Sequence, residues 1–144
     1  MENIELLNYI YSDAKMGRDT TTSLMKEIES KDNKIKDVVE DIINSYDDFT
    51  KKSESKLKML NADLKDPSLF ISISAEVGIK FKMLKDNSDS AIAEMLIRGL
   101  TMGELAMTKK IENYKKDSDK DILDLAKEFK NFQSNAIVKL KKYL

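Results

Sequence analysis

Apolar side chains recur every three or four positions along most of this chain, which is the spacing of one face of an α-helix. A first helix is predicted from about Glu2 to Glu29, with Ile4, Leu7, Ile10, Ala14, Gly17, Thr21, Leu24 and Ile28 on its inner face. The polar break SKDN, Ser30 to Asn33, separates it from a second helix over about Lys34 to Leu64. That helix carries Ile35, Val38, Val39, Ile42, Tyr46, Phe49, Ser53, Leu57, Leu60 and Leu64 on one face. Asp66-Pro67 is a good helix start, aspartate at the N-cap and proline at the first turn. The LFISIS that follows alternates like a strand. Phe70, Ile73, Val77, Phe81 and Leu84 also fit one helical face, and a lone strand would have no partner, so Pro67 to Leu84 is read as a helix.

A third long helix is predicted from Ser88, its N-cap, to Tyr114. Ile92, Met95, Leu96, Gly99, Gly103, Ala106, Met107 and Tyr114 form its stripe. Ile97 and Leu105 lie away from that stripe, so this helix is apolar around much of its girth and is expected at the centre. Glycine inside a helix costs roughly 1 kcal/mol relative to alanine. Gly17, Gly99 and Gly103 on seam faces therefore predict close approach of another backbone. Ser118 or Asp119 starts a fourth helix that runs to about Tyr143, with Ile122, Leu125, Ala126, Phe129, Gln133, Ala136, Ile137 and Leu140 facing inward. Thr20, Thr21 and Thr22 are poor helix formers whose hydroxyls are expected to bond back to the preceding turn.

Connection lengths predict topology. The first and last connections are short, and short connections make neighbouring helices antiparallel. The middle one is long and holds its own helix. Two antiparallel hairpins joined by a long crossover is the ferritin-like arrangement, whereas up-down-up-down bundles use short loops throughout. The expected fold is all-α, a single helical-bundle domain over residues 1–144 with an additional helix in the crossover.

Composition narrows the picture. The chain has 144 residues, 41% hydrophobic and 35% charged, with four glycines and one proline, which suits long helices. Its net charge of −1 gives no field for nucleic acid, and its lysines do not interleave with aromatics. No apolar run approaches the roughly 20 residues of a membrane span, and basic residues do not gather on one polar helix face. The acidic start MENIELLNYIYSDAK is unlike a signal peptide, so the expected location is cytoplasmic. Cysteine and histidine are both absent, which removes thiolate and imidazole chemistry.

The stretches YSDAKMGRDTT in the first helix and AEMLIRGLTMGELAMTK in the third resemble a group of poorly characterised bacterial ferritin-like proteins. The resemblance covers most of the chain through helix order and spacing. It implies a four-helix bundle, in a superfamily known for dinuclear iron or manganese oxidation and for iron storage.

The residues can be tested against that chemistry. A dinuclear carboxylate site takes inward glutamates from two helices and Glu-x-x-His from the other two. On the helical wheel Glu94 and Glu104 lie off the apolar face of the third helix. Glu128 and Asp124 lie off that of the fourth, and Glu54 and Asp47 off that of the second. Only Asp13 lies near a seam edge, where it would snorkel, sit at the rim, or join a network with Tyr46 or Arg18. Tyr46 is expected as a core ring, and Met95, Met102 and Met107 as core filler. No nucleophile triad or phosphate loop is present. The expectation is a non-enzyme with no catalytic, cofactor or metal residues, no cofactor, no nucleic-acid or membrane partner and no identifiable small-molecule substrate. It would act through protein contacts as a homo-oligomer, associating through the third helix, where Ile97 and Leu105 need cover, or through the crossover segment, a dimer being the commonest closed form. The alternative is an unconventional or degenerate metal-handling ferritin-like protein.

Overall fold

The computed structural model describes residues 2–64 and 87–144. Those residues form four α-helices and no strand: α1, Glu2–Ile28; α2, Lys36–Met59; α3, Asp89–Tyr114; and α4, Lys120–Lys141. The proposed crossover helix from Pro67 to Leu84, with its Asp66-Pro67 start, lies outside the described residues.

Local chemistry sets the helix ends. Ser88 caps α3, its hydroxyl accepting from the Ala91 N–H at 3.2 Å. Asp119, one of the two expected starts, is the N-cap of α4, its carbonyl accepting from the Leu123 N–H, although its side chain makes no cap bond. Instead the Asp119 backbone N–H donates to Asn3 Oδ1 at 2.8 Å. The second helix stops well before Leu64. Asn61 turns left-handed with φ 53°, its N–H donates to the Lys58 carbonyl, and the Ala62 N–H reaches back to Leu57. This is a Schellman closure, which asparagine tolerates. Leu60 and Leu64 consequently leave the inner face and are 44% and 39% exposed. Thr21 and Thr22 donate to the carbonyls of Gly17 and Arg18 at 2.6 and 2.7 Å, as their position in the helix predicts.

Contacts at the ends fix the helix directions. Asn33 Nδ2 donates to the Asn87 carbonyl and to Asp89 Oδ1, and the Lys34 N–H donates to Asp89 Oδ2, so α2 and α3 start at the same end. The Tyr114 hydroxyl, at the end of α3, donates to Glu5 Oε2 at 2.7 Å near the start of α1. Lys56, late in α2, pairs with Asp121 at the start of α4 at 3.0 Å. α1 and α4 thus run one way and α2 and α3 the other. The helices pack most extensively within the pairs α1/α2 and α3/α4, and less between the pairs.

The central helix is α1, which overturns the expectation for the third helix. α1 and α4 each touch the other three helices, whereas α2 and α3 do not meet, and α1 is the more deeply covered of the two. Its residues 6–8 and 10–14 are all buried, polar Asn8, Ser12 and Asp13 included. On α3 the buried stripe is Ile92, Ala93, Leu96, Leu100 and Met107; it shares Ile92, Leu96 and Met107 with the predicted one and is rotated toward Ala93 and Leu100. Ile97 packs partly against the core, but Leu105 is 58% exposed. Apolar girth on α3 faces outward, while polar side chains on α1 conceal its all-round burial. On α2 and α4 the predicted inner faces are the buried ones, apart from Leu60, Leu64 and the half-buried Val38 and Ile137.

Candidate functional site

At the middle of the bundle each helix contributes one residue to a polar layer. Asp13 comes from α1, Tyr46 from α2, Gly103 from α3 and Gln133 from α4. Gln133 Nε2–H donates to Asp13 Oδ2 at 3.2 Å, joining residues 120 apart in sequence. Gln133 is fully buried and Asp13 is 9% exposed. The Gln133 Oε1 atom has no partner among the described residues.

Glycine makes this layer possible. A Cβ on Gly103 would overlap the Gln133 carboxamide and come within 3.1 Å of Asp13 Oδ2. A Cβ on Gly17 would overlap the Tyr46 ring. Both glycines admit side chains, whereas the sequence predicted close backbones. Gly99, one turn from Gly103, has nothing within 4 Å of a Cβ position, so its expected close contact is absent.

Tyr46 ties the layer to an aromatic cluster between α2 and α4. Its ring meets Phe132 edge-on at 5.0 Å and 82°, and Phe49 meets Phe129 at 5.1 Å and 66°. Ser53, the other polar member of that face, satisfies its hydroxyl on the Phe49 and Thr50 carbonyls.

Burial controls the electrostatics. It pushes the Asp13 carboxyl up from 3.8 to about 6, with the Gln133 amide pulling the other way. Burial, then the nearby Asp13 charge, raises Tyr46 well above an ordinary phenol and raises Tyr9 as well. Lys110 lies over the Tyr9 ring at 5.2 Å. Asp13 therefore neither snorkels nor sits at the rim. Arg18, suggested as its partner, turns to Asp19 and Asp47 at 3.1 Å each.

The remaining acids lie where the wheel puts them. Glu94 pairs with Arg98, Asp47 with Lys51, Glu54 with Lys58 and Asp124 with Lys120, all at the surface. Glu104 is partly buried and Glu128 exposed. Among the described residues, no group of three or more His, Cys, Asp and Glu side chains could hold a metal ion. Met107 is core, Met95 half-buried and Met102 46% exposed, so the methionines share no site. The layer's chemistry is one carboxyl that burial holds protonated up to about pH 6, one amide that meets either form, and phenols held protonated.

No protein-family model, curated protein or solved structure matches the chain. No helix among the described residues is long and apolar enough to cross a membrane.

Gln133 is the functional partner that the sequence reading missed. It was visible as the polar residue on the inward face of α4, but its pairing with Asp13 was not. A second feature lies outside the core. Between the first half of α2 and the second half of α4 runs a groove of about 240 Å³. It is lined by Val38, Asp41, Ile42 and Ser45 of α2 and by Phe132, Asn135, Ala136 and Lys139 of α4.

Proposed function

We propose that this chain is a non-enzymatic helical bundle of ferritin-like topology that acts through protein–protein contacts, associating with itself as a homodimer. The observation that carries the reading is the placement of acids. Asp13 alone is buried among the described carboxylates, and it is held by an amide. A dinuclear centre needs several carboxylates converging from different helices. The ferritin-like assignment is supported by the shared direction of α2 and α3, which requires a long connection between them. Self-association is supported by the exposed apolar side chains Met102 and Leu105 on α3.

One observation favours a second reading, an unconventional metal-handling protein. Gln133 Oε1 is a buried oxygen without a partner, on the same side chain that bonds Asp13. Anaerobic titration with ferrous iron, followed by oxygen, separates the readings. No stoichiometric uptake is expected. Uptake of two irons per chain that is lost in Asp13→Ala would move the function to metal handling.

A further inference from the structure

Asp13 and Gln133 face each other across the seam between the two hairpins, one on α1 and the other on α4. They share one hydrogen bond, from Gln133 Nε2–H to Asp13 Oδ2 at 3.2 Å. The oxygen of the same amide has no such bond. Gln133 Oε1 is buried and accepts from no described residue, and a buried acceptor left unpaired carries its whole desolvation penalty.

A carboxylate cannot supply the missing donor, because an ionised carboxyl only accepts. A carboxylic acid can. Its O–H donates and its carbonyl accepts, and a primary amide offers the matching acceptor and donor side by side. The two groups then close a ring of two bonds, Asp13 O–H to Gln133 Oε1 and Gln133 Nε2–H to Asp13. Rotation about the last bond of the Asp13 side chain aligns its second oxygen, and that torsion is broad. Turning the amide over leads to the same requirement. Oε1 would then face Oδ2, and two acceptors meet only with a proton between them.

The surroundings favour the neutral acid. Burial pushes the Asp13 carboxyl up to about 6. α1 adds Tyr9 and α2 adds Tyr46, phenols that stay protonated beside it. α3 adds Gly103, whose lack of a side chain makes room for the amide, and the half-buried Glu104 follows it. Of the cations nearby, Lys110 lies over the Tyr9 ring at 5.2 Å and Arg18 pairs with Asp19 and Asp47, so neither balances a charge on Asp13.

We propose that Asp13 and Gln133 form a proton-operated latch across the seam. With the proton on Asp13, acid and amide bond each other reciprocally. Release of that proton to solvent breaks one of the two bonds and leaves an unbalanced charge in the core.

Nuclear magnetic resonance of the full chain tests the latch, with the Asp13 carboxyl carbon and the Gln133 side-chain amide followed from pH 4 to pH 8. Both are expected to titrate with one midpoint near 6. In Asp13→Asn the new amide bonds Gln133 reciprocally at any pH, so the Gln133 signals should stay level. A carboxyl carbon already ionised at pH 5 would overturn the pairing, and so would a Gln133 amide that ignores the Asp13 titration. Exchange of the Gln133 amide protons with water reads the seam itself. Comparing wild type with Asp13→Asn at each pH cancels the intrinsic chemistry of exchange. An opening that hydrates both groups returns the carboxyl to its ordinary 3.8, so the ratio should rise about tenfold per pH unit from 4 to 6 and level off above. A flat ratio would overturn the latch even where the two groups titrate together.

Discussion

The aromatic cluster and the Asp13–Gln133 pair are neighbours in the same core, and Tyr46 belongs to both. Phe49, Phe129 and Phe132 join α2 to α4 by apolar burial and edge contacts, which have no preferred protonation state. Asp13 and Gln133 join α1 to α4 by a hydrogen bond to a group that burial disfavours in its charged form. The cluster is held by packing and ring geometry alone. The polar pair tolerates no sliding, because only one level of α4 offers an amide to the carboxyl. The first region supplies stability, and the second selects the alignment of the helices at a cost that depends on pH.

Removing a ring should have the largest effect and should be blind to pH. Phe129 is fully buried, so Phe129→Ala is expected to lose about 3–5 kcal/mol. Denaturant melts should give the same loss at pH 5 and pH 8. A loss that changed between these values would show that the cluster is not independent of the carboxyl beside it.

Asp13→Asn should act in the opposite sense. The folded carboxyl titrates near 6 and the unfolded one near 3.8. Below 3.8 both states hold the proton, and the fold is not penalised. Between 3.8 and 6 the unfolded chain has released its proton while the folded one keeps it. Stability from this group therefore falls as pH rises through that window, by about 3 kcal/mol in total. Asn cannot ionise and should remove that fall, so the variant gains on wild type from pH 4 to pH 7. Parallel stability curves for the two proteins across this range would mean that Asp13 is not desolvated as described.

The smallest effects, and the sharpest in sign, belong to the glycines. Gly103→Ala would displace the Gln133 amide and lose its bond to Asp13, an expected net cost of about 1–2 kcal/mol after the gain in helix propensity. Gly99→Ala, one turn away in open space, should gain up to about 1 kcal/mol. Thermal melts giving both substitutions the same sign would erase the distinction between the layer and its surroundings.

Much of the fold was legible in the sequence because it depends on single helices. Ser88 before an apolar run, threonines after Gly17 and a lysine-rich end to α4 are local signals, and each is read from a few neighbouring residues. Periodicity also placed Asp13, Tyr46 and Gln133 on or near inward faces. It did not show what lies across from them, because that depends on how four helices are rotated about one another. The same limit misplaced the centre of the bundle. Apolar residues around α3 counted toward burial although Leu105 faces outward, and Asp13 on α1 was placed only at a seam edge although neighbouring helices cover it. Leu60 and Leu64 continued the apolar spacing of α2, and the asparagine that ends the helix at 61 carries a weaker signal than glycine would.

The weaker packing between hairpins than within them bears on how the molecule opens. α1 and α2 find each other across a short connection, as do α3 and α4, so each hairpin closes a small loop as it forms. The bonds between hairpins join residues far apart in sequence, such as Lys56 and Asp121, 65 positions apart, and Gln133 and Asp13, 120 apart. Chains dominated by local contacts fold quickly, and partial openings follow cooperative units of this kind. The hairpins are therefore the natural foldons. The seam between them carries both the aromatic cluster and the Asp13–Gln133 pair, so its closure joins the residues that local pairing cannot.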